Sequence, residues 1–299
     1  MTAEPDATEP GTGGAEPTAV SITEKAGRFD GVGSGIAWRA WLPDTPARAV
    51  IVLVHGVGEH SGRYAHVGNR LAIDGFAVYA LDHIGHGKSA GGNANIGSID
   101  GAADNVAGML DIATREHPDV PRFLIGHSMG SLIVLHLATR APLDVTGVVV
   151  SAPPLDIAIG NAVQRALAPI LTKLTPNLGV LAIDPTLISR DPAVVRAYVN
   201  DPLVHHGKLP ARTGTEILHT SYLVKDRLDK LTVPLLVLQG TADRLVAPSG
   251  ADVIEQHAAS TDLTVHRYDG LYHEVFNEPE QDKVIGDVIE WLEAHLSGK

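Results

Sequence analysis

Short, continuous apolar runs alternate along this chain with longer segments in which apolar residues recur at helical spacing. Such runs are typical of strands buried on both faces, and strands of this kind form parallel sheets covered by helices. They predict strands at 36–42, 50–54, 77–81, 122–126, 145–151, 234–239 and 263–268. The alternation therefore predicts an α/β fold, with a mostly parallel sheet flanked by helices.

The alternation breaks between Ser151 and Leu231. About eighty residues stand there in place of a single crossover helix, far more than an ordinary connection needs. We therefore expect an inserted helical cap at about 155–230. Its first helix is predicted to carry an apolar stripe on one face, made of Val163, Leu167, Ile170, Leu171 and Leu174.

Two prolines predict where helices begin. Asp191 followed by Pro192 is typical of an N-cap with proline at the first helical position. Pro279 is expected in the first turn of the last helix, where apolar residues from Val284 to Leu296 recur at helical spacing. The pattern thus predicts a short helix inside the cap and an amphipathic helix at the end of the chain.

A serine motif lies at a junction between a predicted strand and a predicted helix. Residues 126–130 read Gly-His-Ser-Met-Gly, directly after one apolar run and directly before another. A serine between two glycines in this context is typical of a nucleophile elbow. The turn is so sharp that Gly126 and Gly130 must lack side chains. We therefore expect the Ser128 hydroxyl to stand exposed at the carboxyl edge of the sheet.

A serine hydroxyl is a poor nucleophile unless a base takes its proton. The chain has 15 histidines, and His273 is the one that follows an acid and lies on a loop just past a strand. Asp243 lies on the loop after the strand at 234–239, which makes it the expected acid. Asp269 is the alternative acid, although it shares the loop of His273. Ser128, Asp243 and His273 have the chain order of a Ser-acid-His triad.

Two backbone N–H groups are the expected donors to an oxyanion. One belongs to Met129, the residue after the serine, and the other to a loop after an early strand. The loop at 55–58 follows the strand at 50–54, and its glycines allow the Val57 N–H to turn towards the serine. Donors of this kind lower a reaction barrier by about 3 kcal/mol each.

The composition excludes several classes of function. The net charge of −12 and the absence of cysteine argue against nucleic-acid binding, capture by anionic lipid and thiolate metal sites. No apolar run is long enough to span a membrane. Residues 1–22 are acidic, lack the pattern of a signal peptide and are expected to form a disordered tail. We therefore expect a protein that is cytoplasmic or peripherally associated with a membrane or the cell envelope.

Three blocks of sequence are more specific than the serine motif alone. They span residues 55–64, 82–89 and 126–130. Together they closely resemble the monoacylglycerol lipases of the α/β-hydrolase superfamily, in its serine aminopeptidase and lysophospholipase-like branch. The resemblance extends over residues 23–298 and includes Gly-Thr-Ala-Asp-Arg at 240–244. It implies an eight-stranded α/β-hydrolase domain at 23–299 with a cap, or lid, at about 155–230.

The resemblance also implies a binding site for a glycerol head group. Carried over onto this sequence, the residues that hold the head group are Glu59, Arg63, His127 and Tyr198. Ser131 departs from the family, which usually has glycine there, but both residues are small. No cofactor and no metal ion are expected, because the His83-x-x-His86 spacing belongs to a structural turn in this family.

The expected activity is hydrolysis of monoacylglycerols to glycerol and fatty acid through an acyl-enzyme. Alternatives on the same scaffold are a lysophospholipase, a general carboxylesterase, a prolyl aminopeptidase or a receptor without catalysis. The apolar stripe of the cap either packs on the main domain or lines an acyl tunnel and contacts lipid surfaces. The preferred acyl length and the oligomeric state stay open, a homodimer included.

Overall fold

The computed structural model describes residues 21–157, 172 and 174–296. The predicted tail lies outside these residues except at 21 and 22. Four members of the predicted cap stripe also lie outside them, namely Val163, Leu167, Ile170 and Leu171. No helix of the described residues is both long and apolar enough to cross a membrane.

The strands and helices of the described residues follow the predicted alternation. The strands are β1 (Ile22–Phe29), β2 (Ile36–Pro43), β3 (Ala49–Val54), β4 (Phe76–Leu81), β5 (Arg122–His127), β6 (Gly147–Ser151), β7 (Gly179–Leu181), β8 (Leu209–Pro210), β9 (Leu235–Gly240) and β10 (Leu263–Tyr268). The α-helices are α1 (Ala65–Ile73), α2 (Ile99–Glu116), α3 (Met129–Arg140), α4 (Pro192–Asn200), α5 (Ala211–Lys225), α6 (Ser249–His257) and α7 (Gln281–Ala294).

Eight strands form one mostly parallel sheet, in the order β1-β2-β4-β3-β5-β6-β9-β10. Only the pairs β1-β2 and β2-β4 are antiparallel in this sheet. This confirms the predicted fold class, and each predicted strand is present. The sequence did not predict β1, because its residues Ile-Thr-Glu-Lys-Ala-Gly-Arg-Phe lack an apolar run and lie largely exposed at the sheet edge.

Helices cover both faces of the sheet. On one face α1 packs against β2 and β4, and Trp291 of α7 contacts Phe123 of β5, in a core that also includes Trp41 and Leu71. On the other face α2, α3 and α6 contribute to a second core that includes Met109 and Leu132. The last helix begins at Gln281, so the expectation that Pro279 lies in its first turn is wrong. Pro279 stands in the turn before it, since Glu280 is the N-cap residue.

The segment between β6 and β9, where the sequence predicts a cap, contains a small sheet in which β7 pairs with β8. Helix α4 begins as predicted, with Pro192 in its first turn and the Asp191 carboxylate accepting the Ala193 N–H at 2.7 Å. Leu174, the described member of the predicted stripe, is 73% exposed. A buried cluster of Ile188, Tyr198 and Val204 holds the α4 region together.

The carboxyl ends of the parallel strands decide where functional side chains meet. In a parallel sheet these ends lie along one edge, which is where α/β proteins place their ligands. The loops after β3, β5, β9 and β10 all leave from this edge. They carry, in that order, Val57, Ser128, Asp243 and His273.

Candidate active site

Ser128 stands at a sharp turn between β5 and α3. Its backbone has φ +53° and ψ −119°, a conformation that costs a non-glycine residue about 1–3 kcal/mol. A Cβ atom on Gly126 would lie 2.5 Å from the Gly130 oxygen, and one on Gly130 would lie 2.0 Å from the Val54 oxygen. Both glycines are therefore required for the strand, the turn and the helix to approach each other.

Hydrogen bonds to β6 hold this turn in place. The Ser128 N–H donates to the Ser151 oxygen at 2.8 Å. The Ser131 hydroxyl lies 2.8 Å from the Gly126 oxygen and 2.7 Å from the Ser151 oxygen, and it accepts the Ser151 N–H at 3.0 Å. The serine at 131 thus adds contacts between α3 and β6 that a glycine could not make.

Gly130→Ala should destabilise the protein by about 3 kcal/mol, because the new methyl group would overlap the backbone of β3. Gly286→Ala is the matched control, since Gly286 also lies in a helix but has no atom within 4 Å of its added Cβ. That control should gain about 0.5–1 kcal/mol from helix propensity. Urea unfolding measures both changes, and an equal effect at the two positions would contradict the account of the turn.

Ser128, His273 and Asp243 form a continuous chain of hydrogen bonds. His273 Nε2 lies 3.0 Å from Ser128 Oγ, and His273 Nδ1 lies 2.8 Å from Asp243 Oδ2. The other oxygen of Asp243 accepts the N–H groups of Leu245 at 2.8 Å and Val246 at 3.0 Å. Because the carboxylate can only accept, Nδ1 carries a proton and Nε2 is free to accept the serine proton.

Charges around His273 shift its protonation equilibrium. Burial by itself lowers the pKa of His273, but the Asp243 carboxylate and the charges of Glu274 and Glu59 raise it above its ordinary value. Burial raises the pKa of Asp243, whereas His273 and two backbone N–H groups lower it more strongly, to a net value below the ordinary one. The site therefore favours an ionised Asp243 and stabilises a protonated His273.

The loop after β3 packs directly against the serine. A Cβ atom on Gly56 would lie 3.2 Å from the Ser128 Cβ atom. The Gly56 N–H donates to Glu59 Oε1 at 2.7 Å, so it is already satisfied. The Val57 N–H has no hydrogen-bond partner among the residues that the structure describes, and the Met129 N–H is free because Met129 begins α3. Both N–H groups therefore stay available for the predicted role of oxyanion donors.

Arg63 joins two buried glutamates beside the loop after β3. Its Nη1 atom donates to Glu59 Oε2 at 2.6 Å and to Glu274 Oε1 at 2.7 Å, and its Nη2 atom donates to Glu274 Oε2 at 2.7 Å. The guanidinium group also lies 4.8 Å from the centre of the Tyr198 ring. Arg63 therefore acts as a bridge between carboxylates.

The pKa values of the two glutamates shift in opposite directions. Burial raises the pKa of Glu274, but the charge and hydrogen bonds of Arg63 outweigh burial and lower it below its ordinary value. For Glu59 burial has the larger effect, so its pKa is raised even though Arg63 opposes the change. Glu274 is thus the more acidic member of the pair and carries a charge at neutral pH.

His127 and Tyr198 complete the polar end of the site. The His127 ring lies 4.8 Å from the His273 ring, and its Nδ1 atom is 3.1 Å from Ser151 Oγ. Burial, together with the charge of His273, lowers the pKa of His127 to about 3, which keeps the ring neutral. The cap segment that carries Tyr198 is tied to the loop after β3, because the His205 N–H donates to the Gly58 oxygen at 2.8 Å.

A cavity of about 460 Å³ opens onto Ser128. Its lining includes His273, Glu59, His127, Tyr198 and Glu274 at the polar end. The apolar lining comes from the cap and from the loop after β9, with Pro154, Ile157, Leu181, Ala182, Ile183, Ile188, Leu209, Ile217, Leu245, Val246 and Ala247. The cavity therefore combines a polar pocket with a long apolar wall.

Two residues near the expected head-group site differ in their relation to the cavity. Arg63 is not among the described residues that line it, and the carboxylates of Glu59 and Glu274 both bind its guanidinium group. Glu274, which the sequence did not single out, lines the cavity beside His273. Its position directly after the histidine was the only sequence signal, and an acidic residue on a loop is most often solvated.

The turn that contains His83 and His86 follows β4 and is held by the side chain of Asp82. Asp82 Oδ1 accepts the N–H and the hydroxyl of Ser61 at 2.9 and 2.6 Å, and Oδ2 accepts the Lys88 N–H at 2.8 Å. The His55 Nε2 atom accepts the His83 N–H at 3.0 Å, which joins the ends of β3 and β4. Among the described residues no group of three or more His, Cys, Asp or Glu side chains is arranged to bind a metal ion.

Comparisons with known proteins identify the family to which the chain belongs. Residues 45–280 match the family described as serine aminopeptidase, S33. A monoacylglycerol lipase of Mycolicibacterium smegmatis is 42% identical over 93% of this chain and 100% of its own length. Human monoglyceride lipase is 34% identical over 85% of each chain.

A solved structure extends the similarity to the fold. The crystal structure of the Paleococcus ferrophilus monoacylglycerol lipase matches with a TM-score of 0.77 and 32% identity, over 92% of this chain and 99% of that one. The match covers the mostly parallel sheet and its flanking helices. The chain therefore has the α/β-hydrolase fold and belongs to the serine aminopeptidase S33 family, in the branch that contains these monoacylglycerol lipases.

Proposed function

We propose that this protein is a serine hydrolase that cleaves the ester bond of monoacylglycerols to release glycerol and a free fatty acid. One observation carries the proposal, the hydrogen-bond chain from Ser128 through His273 to Asp243 at a cavity with a polar end and an apolar wall. The names of the relatives support a monoacylglycerol as the substrate.

The first half of the reaction forms an acyl-enzyme. Ser128 Oγ attacks the ester carbonyl carbon while His273 Nε2 takes the hydroxyl proton. The carbonyl oxygen becomes an oxyanion that accepts hydrogen bonds from the N–H groups of Val57 and Met129. When the intermediate collapses, the bond to the glycerol oxygen breaks, and His273 returns its proton to that oxygen. Asp243 holds the imidazole in the required tautomer throughout.

The second half of the reaction releases the fatty acid. His273 Nε2 removes a proton from a water molecule, which attacks the acyl carbon. The same two N–H groups stabilise the second oxyanion. Collapse breaks the bond to Ser128 Oγ, and His273 returns its proton to the serine. Atoms and charge balance over the cycle, since one water is consumed for each ester.

The cap supplies the acyl-chain wall and a contact with lipid surfaces. Ile183 and Leu209 support the first role because they line the cavity. Leu174, Leu178, Val180 and Leu181 support the second, because the cap exposes at least 48% of each of them. Leu181 belongs to both groups, so the exposed apolar surface of the cap meets the cavity lining at this residue. The acyl-chain preference then depends on residues 155–230.

A substrate panel tests the proposal against its alternatives. The panel compares a monoacylglycerol, a triacylglycerol, a lysophospholipid, a simple alkyl ester and an aminoacyl amide, with the acyl chain matched among the lipids. The proposal expects the monoacylglycerol to have the highest kcat/KM. A faster lysophospholipid would favour a lysophospholipase, and equal rates on all esters would favour a general carboxylesterase. Binding without hydrolysis would indicate a receptor.

Activity should fall as the pH drops, because His273 must be neutral to act as the base. Its pKa is raised, so the fall in kcat/KM should begin above the ordinary histidine value of about 6.5. Below that pH the imidazole is protonated and cannot accept the serine proton. A kcat/KM profile on a soluble ester measures this limb, and a profile that stays flat down to about pH 4 would contradict the role of His273.

A further inference from the structure

The bridge made by Arg63 brings two carboxylate oxygens close together. Glu59 Oε2 and Glu274 Oε1 both accept from the same Nη1 atom, at 2.6 and 2.7 Å, so they are at most about 5.3 Å apart. Both glutamates line the cavity that opens onto Ser128. Their side chains are 4% and 6% exposed, so a group that reaches them must enter the cavity.

The two bridged oxygens each have room for another hydrogen bond. A carboxylate oxygen accepts about two hydrogen bonds. Glu59 Oε1 is filled by the Gly56 N–H and the Tyr64 hydroxyl, and Glu274 Oε2 is filled by Arg63 and Asn277. Glu59 Oε2 and Glu274 Oε1 have Arg63 as their one partner in the part of the chain that the structure describes.

We infer that Glu274 joins Glu59, which the resemblance already implies at the head group, so that two free hydroxyl groups of the substrate's alcohol are recognised, one on each bridged oxygen. Arg63 positions the pair without contacting the substrate. A hydroxyl donates to a carboxylate at about 2.6 Å, so two hydroxyls of one glycerol head can reach both oxygens. Glu274 is then a specificity-determining residue. This inference rests on the proposed function and names the chemistry of its head-group pocket.

The charges of Glu59, Arg63 and Glu274 favour a neutral polyol as the bound head group. Both carboxylates already bind the guanidinium group of Arg63, so these three residues leave no cation for a phosphate. Arg244 also lines the cavity but is exposed to solvent, which screens its charge. The negative charge of an anionic head group would therefore lie beside buried carboxylates and would have no cation to balance it. Lysophosphatidic acid should be a much poorer substrate than the monoacylglycerol with the same acyl chain.

Glu274→Gln tests the inference on a pair of substrates with the same acyl chain. One is a monoacylglycerol, and the other is a propyl ester, which has no free hydroxyl. The variant should lower the ratio of kcat/KM for the monoacylglycerol to that for the propyl ester by about tenfold, because a hydrogen bond to a charged acceptor is lost on one substrate only. Both rates come from one preparation, so any loss of folded enzyme cancels in the ratio.

Glu278→Gln is the matched control. Glu278 lies four residues further along and is also buried, and its carboxylate binds Arg190 Nε at 2.8 Å and the Tyr272 N–H at 2.9 Å. It does not belong to the cavity lining given by the described residues. Glu278→Gln should reduce stability in a similar way, but it should leave the ratio of the two kcat/KM values within about twofold of the wild type.

The outcomes separate the inference from the function on which it rests. If the wild type hydrolyses the monoacylglycerol but Glu274→Gln leaves the ratio unchanged, Glu274 is structural and the inference is wrong. The same holds if lysophosphatidic acid is hydrolysed as fast as the monoacylglycerol. If the wild type cleaves the propyl ester but not the monoacylglycerol, the proposed function itself fails, and the inference fails with it.

Discussion

Ser128→Ala should lower kcat on monoacylglycerols by about 10⁵ to 10⁶-fold, because the hydroxyl that forms the acyl-enzyme is lost. Ser128 Oγ is the atom within 3.0 Å of His273 Nε2, and the strained turn holds it there. The variant should also lose covalent labelling by a fluorophosphonate. Steady-state rates and intact-protein mass spectrometry measure the two effects.

Ser131→Ala is the control for this substitution. Ser131 is a buried serine three residues along the chain, with its hydroxyl bound to backbone atoms of β5 and β6. This variant should still be labelled at one site, although it should be less stable by about 1 kcal/mol. Undiminished labelling of the Ser128→Ala protein would end the assignment of the nucleophile.

Asp243→Asn should lower kcat by about 10⁴-fold while the fold is retained, as similar substitutions do in other Ser-His-Asp enzymes. The N–H groups of Leu245 and Val246 would keep the amide oxygen in the place of Oδ1. The amide nitrogen would then face His273 Nδ1 and donate to it, which puts the ring proton on Nε2, opposite the serine. The variant loses the base because it has the wrong tautomer.

The pH profile of Asp243→Asn gives a second readout. The Asp243 charge raises the pKa of His273, so removing it should move the acidic limb of kcat/KM to lower pH. Asp269→Asn is the control, because Asp269 is exposed and accepts a bond of 3.3 Å from the Thr241 hydroxyl. A large loss at Asp269 with little loss at Asp243 would reverse the assignment of the acid.

Most of the sheet could be predicted because buried parallel strands have a strong sequence signal. The runs that form β3, β4 and β9 are apolar at nearly every position and buried throughout. Strand β1 has no such signal, because it lies at an edge and pairs with β2 alone. Its pairing is decided by backbone hydrogen bonds, which any sequence without proline can make.

The site residues could be predicted where chain order and a turn restrict the choice. Ser128 requires flanking glycines, and Asp243 and His273 each follow a strand at the same edge of the sheet. Glu274 could not be found in this way, because its role depends on a contact with Arg63, 211 positions away in sequence. The partners of the Arg63 side chain could not be predicted either, because the block at 55–64 shows which residue is present but not what it contacts.

The most direct measurement of the central claim is the partitioning of the acyl-enzyme between water and an added alcohol. A monoacylglycerol and the propyl ester of the same acid are each incubated with the protein in dilute methanol, and fatty acid and methyl ester are quantified. A common intermediate on Ser128 predicts the same ratio of methyl ester to fatty acid from both substrates. Different ratios, or no fatty acid from the monoacylglycerol, would contradict the account.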